Sequence, residues 1–267
     1  MIAARQALVL AASRPHDPLA RHAGQSHKAL VKVAGIAMLV RVLRTLQESR
    51  SVGPIAVCLE ADAPVARAEP DFDALIASGA VTLIDAAASP GGSVLRALET
   101  LPLPLLITTA DHPLLSAAMI DQFCVAVPAD ADGAVAVVRA SLLQRGYPDA
   151  IRTYYRFAGE GYSGCNLFLL QSHEAVRIVR FWTRLEQHRK RPWRLIAEVG
   201  PLALLRFLLG RLSLDDAMGH LSAKAGAVVR AIELPYPEAA IDVDKPADLA
   251  LVEQIMAQRG GSGGSTT

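Results

Sequence analysis

Gln6-Ala7-Leu8-Val9-Leu10-Ala11-Ala12-Ser13-Arg14 is an apolar run that closes on small residues and opens into a polar loop. Without polar alternation, such a run reads as a strand buried on both faces. Four further runs of this kind, rich in Val, Ile and Leu, lie at residues 54–60, 80–85, 103–110 and 133–139, each bounded by Pro, Gly or Asp. Segments of helical period separate them, at residues 35–49, 71–78, 92–100 and 116–127. In the first of these, Met38, Val42, Leu43 and Leu46 form one face and Arg41, Arg44, Gln47 and Glu48 the other. Strands alternating with helices predict right-handed crossovers and an α/β fold with a mostly parallel sheet. Sites in such sheets gather beyond the carboxyl ends of the strands, so the segments that follow strands carry the functional reading.

The second half changes character. Residues 163–170 read as another strand, followed by a mostly helical stretch from 172 to about 225, broken at Pro192 and near Gly210. A strand at 227–234 and a helix at 246–258 complete one expected domain, residues 1–258, with the helical stretch as an insert. Residues 259–267 are rich in Gly, Ser and Thr and read as a flexible linker or tail.

Composition narrows the function classes. Of 267 residues, 52% are hydrophobic and 20% charged, which suits a buried core and excludes a disordered chain. Lys and Arg number 27 against 26 Asp and Glu, so the balance carries no footprint for non-specific nucleic-acid binding. Cys58, Cys124 and Cys165 are odd in number, widely spaced and without metal-type spacing, as expected of reduced thiols in the cytoplasm. The first strand starts too early to leave room for a secretion signal, and no uninterrupted apolar stretch of ~18 residues suggests a spanning helix.

Three segments carry chemistry. After the first strand, small residues allow close backbone approach to a phosphate, and the loop ends at His27-Lys28-Ala29-Leu30, where a lysine can neutralise phosphate charge. An ordinary surface loop would look the same. In Thr108-Thr109-Ala110-Asp111-His112-Pro113-Leu114, an aspartate directly follows a strand, where a hard cation bridging phosphates needs a carboxylate. Ser116 is placed to cap the next helix. In Ala240-Ile241-Asp242-Val243-Asp244-Lys245-Pro246-Ala247-Asp248, Asp242 and Asp244 alternate onto one face of an extended segment. Pro246 opens a helix whose first turn holds Asp248.

The order and spacing of these segments resemble a nucleotidyltransferase family with a Rossmann-like core. It includes molybdenum-cofactor guanylyltransferase, the cobinamide-phosphate guanylyltransferases and the cytidylyltransferases that activate sugar or polyol phosphates. Its opening pattern L-A-A-G-x-G-x-R-M, then P-K-A-L, is matched by Leu10-Ala11-Ala12-Ser13 and Lys28-Ala29-Leu30. Its metal-binding aspartate matches Asp111, and its closing D-x-D-T-P-x-D-L matches residues 242–249 with Lys245 in place of threonine. Ser13, Pro15 and His27 depart from the glycines and the proline of that pattern, and Pro15 cannot donate an N–H.

The resemblance implies a three-layer αβα fold and a Mg²⁺-dependent transfer of NMP from an NTP to a small phosphorylated acceptor. It assigns Lys28 and Asp111 to catalysis, and Ala11, Ala12, Ser13, Arg14, Lys28, Gly92 and Ser93 to the nucleotide. Asp111 and Asp244 would hold the metal, with Asp242 as the alternative second ligand. Arg152, Gly164 and Asn166 would meet the acceptor. Basic residues interleaved with Trp182, Trp193 and Phe207 across residues 181–214 fit either an interfacial membrane helix or a substrate or homodimer contact. Two other readings stay in view: a GT-A-like glycosyltransferase and a non-catalytic nucleotide-binding homologue.

Overall fold

β1 (Arg5–Leu10) is hydrogen-bonded in parallel to β4 (Val52–Leu59) on one side and to β6 (Leu105–Thr109) on the other. The structure is a computed structural model that describes residues 4–188, 205–207 and 209–262. β5 (Val81–Asp85) extends the sheet in parallel beyond β4. Beyond β6 lie β9 (Glu160–Leu170), β7 (Gly133–Arg139) and β10 (Val229–Glu233), giving the order β10-β7-β9-β6-β1-β4-β5. β8 (Tyr155–Phe157) pairs with the start of β9.

The apolar runs alternate their side chains between two cores. Ala7 and Val9 point to one, with α2 (Met38–Glu48), α6 (Ala117–Ala126) and α10 (Pro246–Ser262) packed through Leu43, Phe123 and Val252. Leu8, Ala56, Cys58 and Ile107 point to the other, against Val94 of α5 (Pro90–Ala97) and Val179 of α8 (Ala175–His188). Helices on both faces of the sheet make the three αβα layers. Leu8, Leu43 and Phe123 have no exposed surface, and each such side chain stabilises the fold by about 1.5–3 kcal/mol relative to exposure. Ser116 caps α6 as expected, its hydroxyl accepting the Met119 N–H at 3.3 Å.

Several elements differ from the sequence reading. The helix expected from residue 35 starts at Met38, because Lys32–Val33 (β2) and Ile36–Ala37 (β3) form a hairpin first. Its two-residue turn holds Ala34 at φ +46° and Gly35 at φ +77°, the doubly left-handed geometry that favours glycine. Polar loops also contain the short helices α1 (Pro18–His22), α3 (Val65–Ala68) and α7 (Ala140–Gly146), while α4 (Pro70–Ala77) falls near its expected place. β9 runs antiparallel to both β6 and β7, so one strand of the second half is inserted against the general direction. Among the described residues, the helical stretch contains α8 and α9 (Leu214–Ala225), with a turn at Gly210, φ +64°. The break expected at Pro192 and the basic cluster around Arg189–Arg194 lie outside the described residues. The last helix runs four residues past its expected end, to Ser262. No described helix is long and apolar enough to cross a membrane.

Candidate active site

Parallel pairing places the ends of β1, β4 and β6 at one edge of the sheet. There Ala110 N–H donates to Leu10 C=O at 3.0 Å and Ala11 N–H to Cys58 C=O at 2.9 Å, so the segments after the three strands leave side by side. The late D-x-D segment reaches the same edge, where Val243 N–H donates to Asp111 C=O at 2.9 Å. Lys28 begins a 3-10 turn, Lys28–Leu30, that closes the loop after β1. Its Nζ lies 2.6 Å from Asp111 Oδ2 and 2.5 Å from Asp244 Oδ1. Thr109 Oγ1 donates to Asp111 Oδ1 at 2.5 Å and fixes the other carboxylate oxygen.

One ammonium therefore joins the two carboxylates that the sequence assigned to a metal. Burial alone lowers the pKa of Lys28, but Asp111 and Asp244 outweigh it and hold the amine above its ordinary range. Lys28 is a permanent cation at neutral pH. His112 is not one: burial pushes its imidazole down to about 4, against the opposing charge of Asp111. Ala11, Ala12, Ala29 and Ala110 line an open depression beside Lys28 and Asp111, with side chains small enough to admit a phosphate against the backbone.

Asp242 and Asp244 take different partners. Asp244 Oδ1 meets Lys28, whereas Asp242 is engaged by Arg152 Nη1 and by Asn166 Nδ2, the latter at 2.8 Å. Arg152 Nη2 also donates to the Asp242 carbonyl at 2.6 Å and lies 3.6 Å from Asp248 Oδ1. Burial raises the Asp242 carboxyl to about 6, the nearby Asp111 adds to the rise, and Arg152 opposes it. Asp248 accepts the N–H groups of Asp244 and Lys245 at 3.1 and 3.0 Å, which caps α10 and holds the D-x-D segment in place.

The residues expected at the acceptor meet the D-x-D segment. Arg152 and Asn166 both contact Asp242, and the Arg152 side chain is 9% exposed. Asn166 reaches Asp242 because the pairing of β7 with β9 slips between Val135 and Val137, and Asn166 itself sits at φ +48°. Gly164 is exposed, with open space where a side chain would go. Ser93, expected at the nucleotide, is buried, its hydroxyl accepting the Ala87 N–H at 2.9 Å. Gly92 lies in the first turn of α5, its N–H donating to the Ser89 cap at 3.1 Å, and a Cβ there would stand 3.2 Å from Ala87 Cβ. Neither residue lines the depression at Lys28.

The loop after β1 is held by Glu60, a residue that the motifs did not single out. Ser13 N–H donates to Glu60 Oε1 at 2.7 Å, while Arg14 is exposed. Glu60 follows β4 at the same edge as Asp111, so the rule that sites gather beyond strand ends would have found it. Among the described residues no three His, Cys, Asp or Glu side chains form a ready metal cage. Mg²⁺ is commonly held by one or two carboxylates together with substrate phosphates, and Asp111 with Asp244 fits that donor set.

The profile of the MobA-like NTP transferase domain matches residues 7–197. The chain belongs to this family. Among solved structures, this MobA-like chain is similar to a hypothetical transferase from Thermus thermophilus, at 28% identity and a TM-score of 0.76, covering 92% of this chain and 99% of the other. It also shares its fold with 4-diphosphocytidyl-2C-methyl-D-erythritol synthase from Anaerococcus prevotii, at 10% identity and TM-score 0.58, covering 94% and 95%. A third likeness, to CMP:2-keto-3-deoxy-manno-octonic acid synthetase complexed with CTP, has 13% identity and TM-score 0.57, covering 96% and 100%. A search of curated protein sequences found no significant match. The MobA-like chain is thus a member of a nucleotidyltransferase family with a Rossmann-like three-layer fold.

Proposed function

We propose that the chain transfers an NMP group from an NTP to a small phosphorylated acceptor, a sugar, polyol or cofactor phosphate, with Mg²⁺ as cofactor. The carrying observation is Lys28 held between Asp111 and Asp244 at the mouth of the small-residue loop. A phosphate oxygen of the acceptor attacks the α-phosphorus in line, the new P–O bond forms, and the bond to the β-phosphate breaks to release pyrophosphate. Positioning and charge neutralisation supply most of the acceleration in such a reaction.

Each residue of the site then has a task. Lys28 moves its positive charge onto the phosphates as the nucleotide enters. Asp111, fixed by Thr109, and Asp244, fixed through Asp248, would hold the metal. Mg²⁺, when bound there, would neutralise phosphate charge and orient the triphosphate. Asp242 is the weaker candidate as a ligand, because Arg152 and Asn166 already satisfy its oxygens. Arg152 supports the reading as a brace for the D-x-D segment, and its role toward an acceptor requires release from Asp242. A glycosyltransferase would share the fold, but this chain has no D-x-D after a middle strand.

The test has two stages. A thermal-shift panel of the four NTPs with Mg²⁺ should show stabilisation by at least one. Pyrophosphate release is then screened against phosphorylated sugars, polyols and cofactors. No shift with any NTP would sink the proposal, and a shift without release from any acceptor would favour the non-catalytic homologue.

A further inference from the structure

Glu60 is bound at both of its oxygens. Oε1 accepts the Ser13 N–H at 2.7 Å, and Oε2 lies 3.2 Å from His27 Nε2. His27 Nδ1 accepts the Ala29 N–H at 3.1 Å and so caps the 3-10 turn that carries Lys28. A ring nitrogen that accepts leaves the proton on the other nitrogen, so His27 Nε2–H donates to Glu60. The His27 side chain is buried, at 8% exposure, whereas Glu60 is 39% exposed. One carboxylate therefore ties the first residue of the phosphate loop to the last one before Lys28.

The chemistry of this clamp is selective. The two N–H donors meet Glu60 on different oxygens, so each position needs an acceptor. A carboxylate has an oxygen at both; an amide has one and places an NH₂ donor at the other. The clamp also closes a loop in which Pro15 has no N–H and His16 sits at φ +59°, with no regular pairing of its own beyond the five-residue α1. Glu60 and His27 reach the site through Ser13 and Lys28, and the structure gives neither a contact with Asp111 or Asp244.

We propose that Glu60 and His27 are positioning residues that preset the 13–28 loop in its phosphate-receiving shape and thereby place Lys28. The phosphate-receiving part of this role rests on the nucleotidyl-transfer reading. Without the clamp, the loop must be ordered when the nucleotide binds. Apparent affinity then falls by the fraction of chains in which the loop is already competent.

Two variants separate the clamp from the cap. His27→Asn keeps an acceptor for the Ala29 N–H but cannot reach Glu60, and Glu60→Gln leaves one oxygen for two donors. Each should weaken binding of whichever Mg-NTP the wild type binds by about tenfold, measured by calorimetry. The double variant should bind no more weakly than the weaker single one, because both break the same link. Amide exchange should speed up in peptides covering residues 12–28 and stay unchanged in α6, with the melting temperature within about 2 °C of wild type.

Unchanged loop exchange in both variants would overturn the proposal. So would losses that multiply in the double variant while the melting temperature falls, the signature of a merely structural pair. If the wild type binds none of the four NTPs, the nucleotidyl-transfer reading fails, and loop exchange alone still decides the clamp.

Discussion

Lys28 Nζ lies 2.6 Å from Asp111 Oδ2, across 83 residues of sequence, and Asp111 is bound on its other oxygen by Thr109. The same ammonium contacts Asp244. A protein cation thus stands between the two carboxylates that would hold a metal. Lys28→Met should therefore tighten Mn²⁺ binding in the absence of nucleotide, read by titration with paramagnetic Mn²⁺, while lowering turnover by about 10²–10³-fold. Unaltered or weaker Mn²⁺ binding would show that the lysine does not compete for that position.

Asp111→Ala should abolish Mg²⁺-dependent pyrophosphate release to a similar degree. Asp244→Asn should cost more turnover than Asp242→Asn, because only Asp244 faces Lys28. Steady-state rates of the two asparagine variants at saturating Mg²⁺ decide between them, and the reverse order would make Asp242 the second ligand.

Arg152 is the cationic partner of Asp242, whose carboxyl is mostly buried. Arg152→Ala leaves that carboxylate with Asn166 alone and should destabilise the fold by about 3 kcal/mol, the low end for a broken buried pair. Arg152→Ala combined with Asp242→Asn should recover part of that loss in urea unfolding. An additive double variant would mean that the two residues act independently.

Asp121 ties the turn after α2 to α6, accepting from Ser49 Oγ at 2.6 Å and Ser51 N–H at 3.0 Å. Burial would raise its pKa, but these hydrogen bonds outweigh it and hold the carboxyl below its ordinary value. The folded state then binds fewer protons than the unfolded one. Its contribution is present above the unfolded carboxylate pKa of about 3.9 and is lost as pH falls through the lower folded value. Asp121→Asn should lower stability by about 1 kcal/mol at pH 7, and the gap to wild type should close in acid. A gap that is constant down to the lowest pH at which the chain stays folded would refute the linkage.

Cys58, Cys124 and Cys165 are free thiols, each at most 2% exposed. Burial raises all three, Cys124 to about 11. Folded protein at neutral pH should therefore react negligibly with an aromatic disulfide reagent, and all three should react at once in denaturant. Rapid labelling of the native chain would contradict this packing.

Local chemistry carried much of this fold. The apolar runs became strands, Ser116 became a helix cap, and Pro246 opened the last helix, because burial, capping and proline geometry act over a few residues. Asp111 was legible as an acid directly after a strand. Glu60 follows a strand in the same way but lies in no recognised motif, and its meaning appears only when Ser13 and His27 converge on it. The Arg152 and Asn166 pattern suggests an acceptor contact, and sequence alone does not show that Asp242 also lies within their reach.

The amino-acid order by itself determined the α/β class, the mostly parallel sheet and the three segments that meet at its edge. Periodicity and loop residues encode these within short windows. Tertiary structure alone decided that β9 runs antiparallel between β6 and β7, and that Asp244, not Asp242, faces Lys28. The Lys28–Asp244 contact spans 216 residues and the Arg152–Asp242 contact 90. Which carboxylate meets which cation depends on strand order and the direction of each side chain, and both are set only when the sheet assembles.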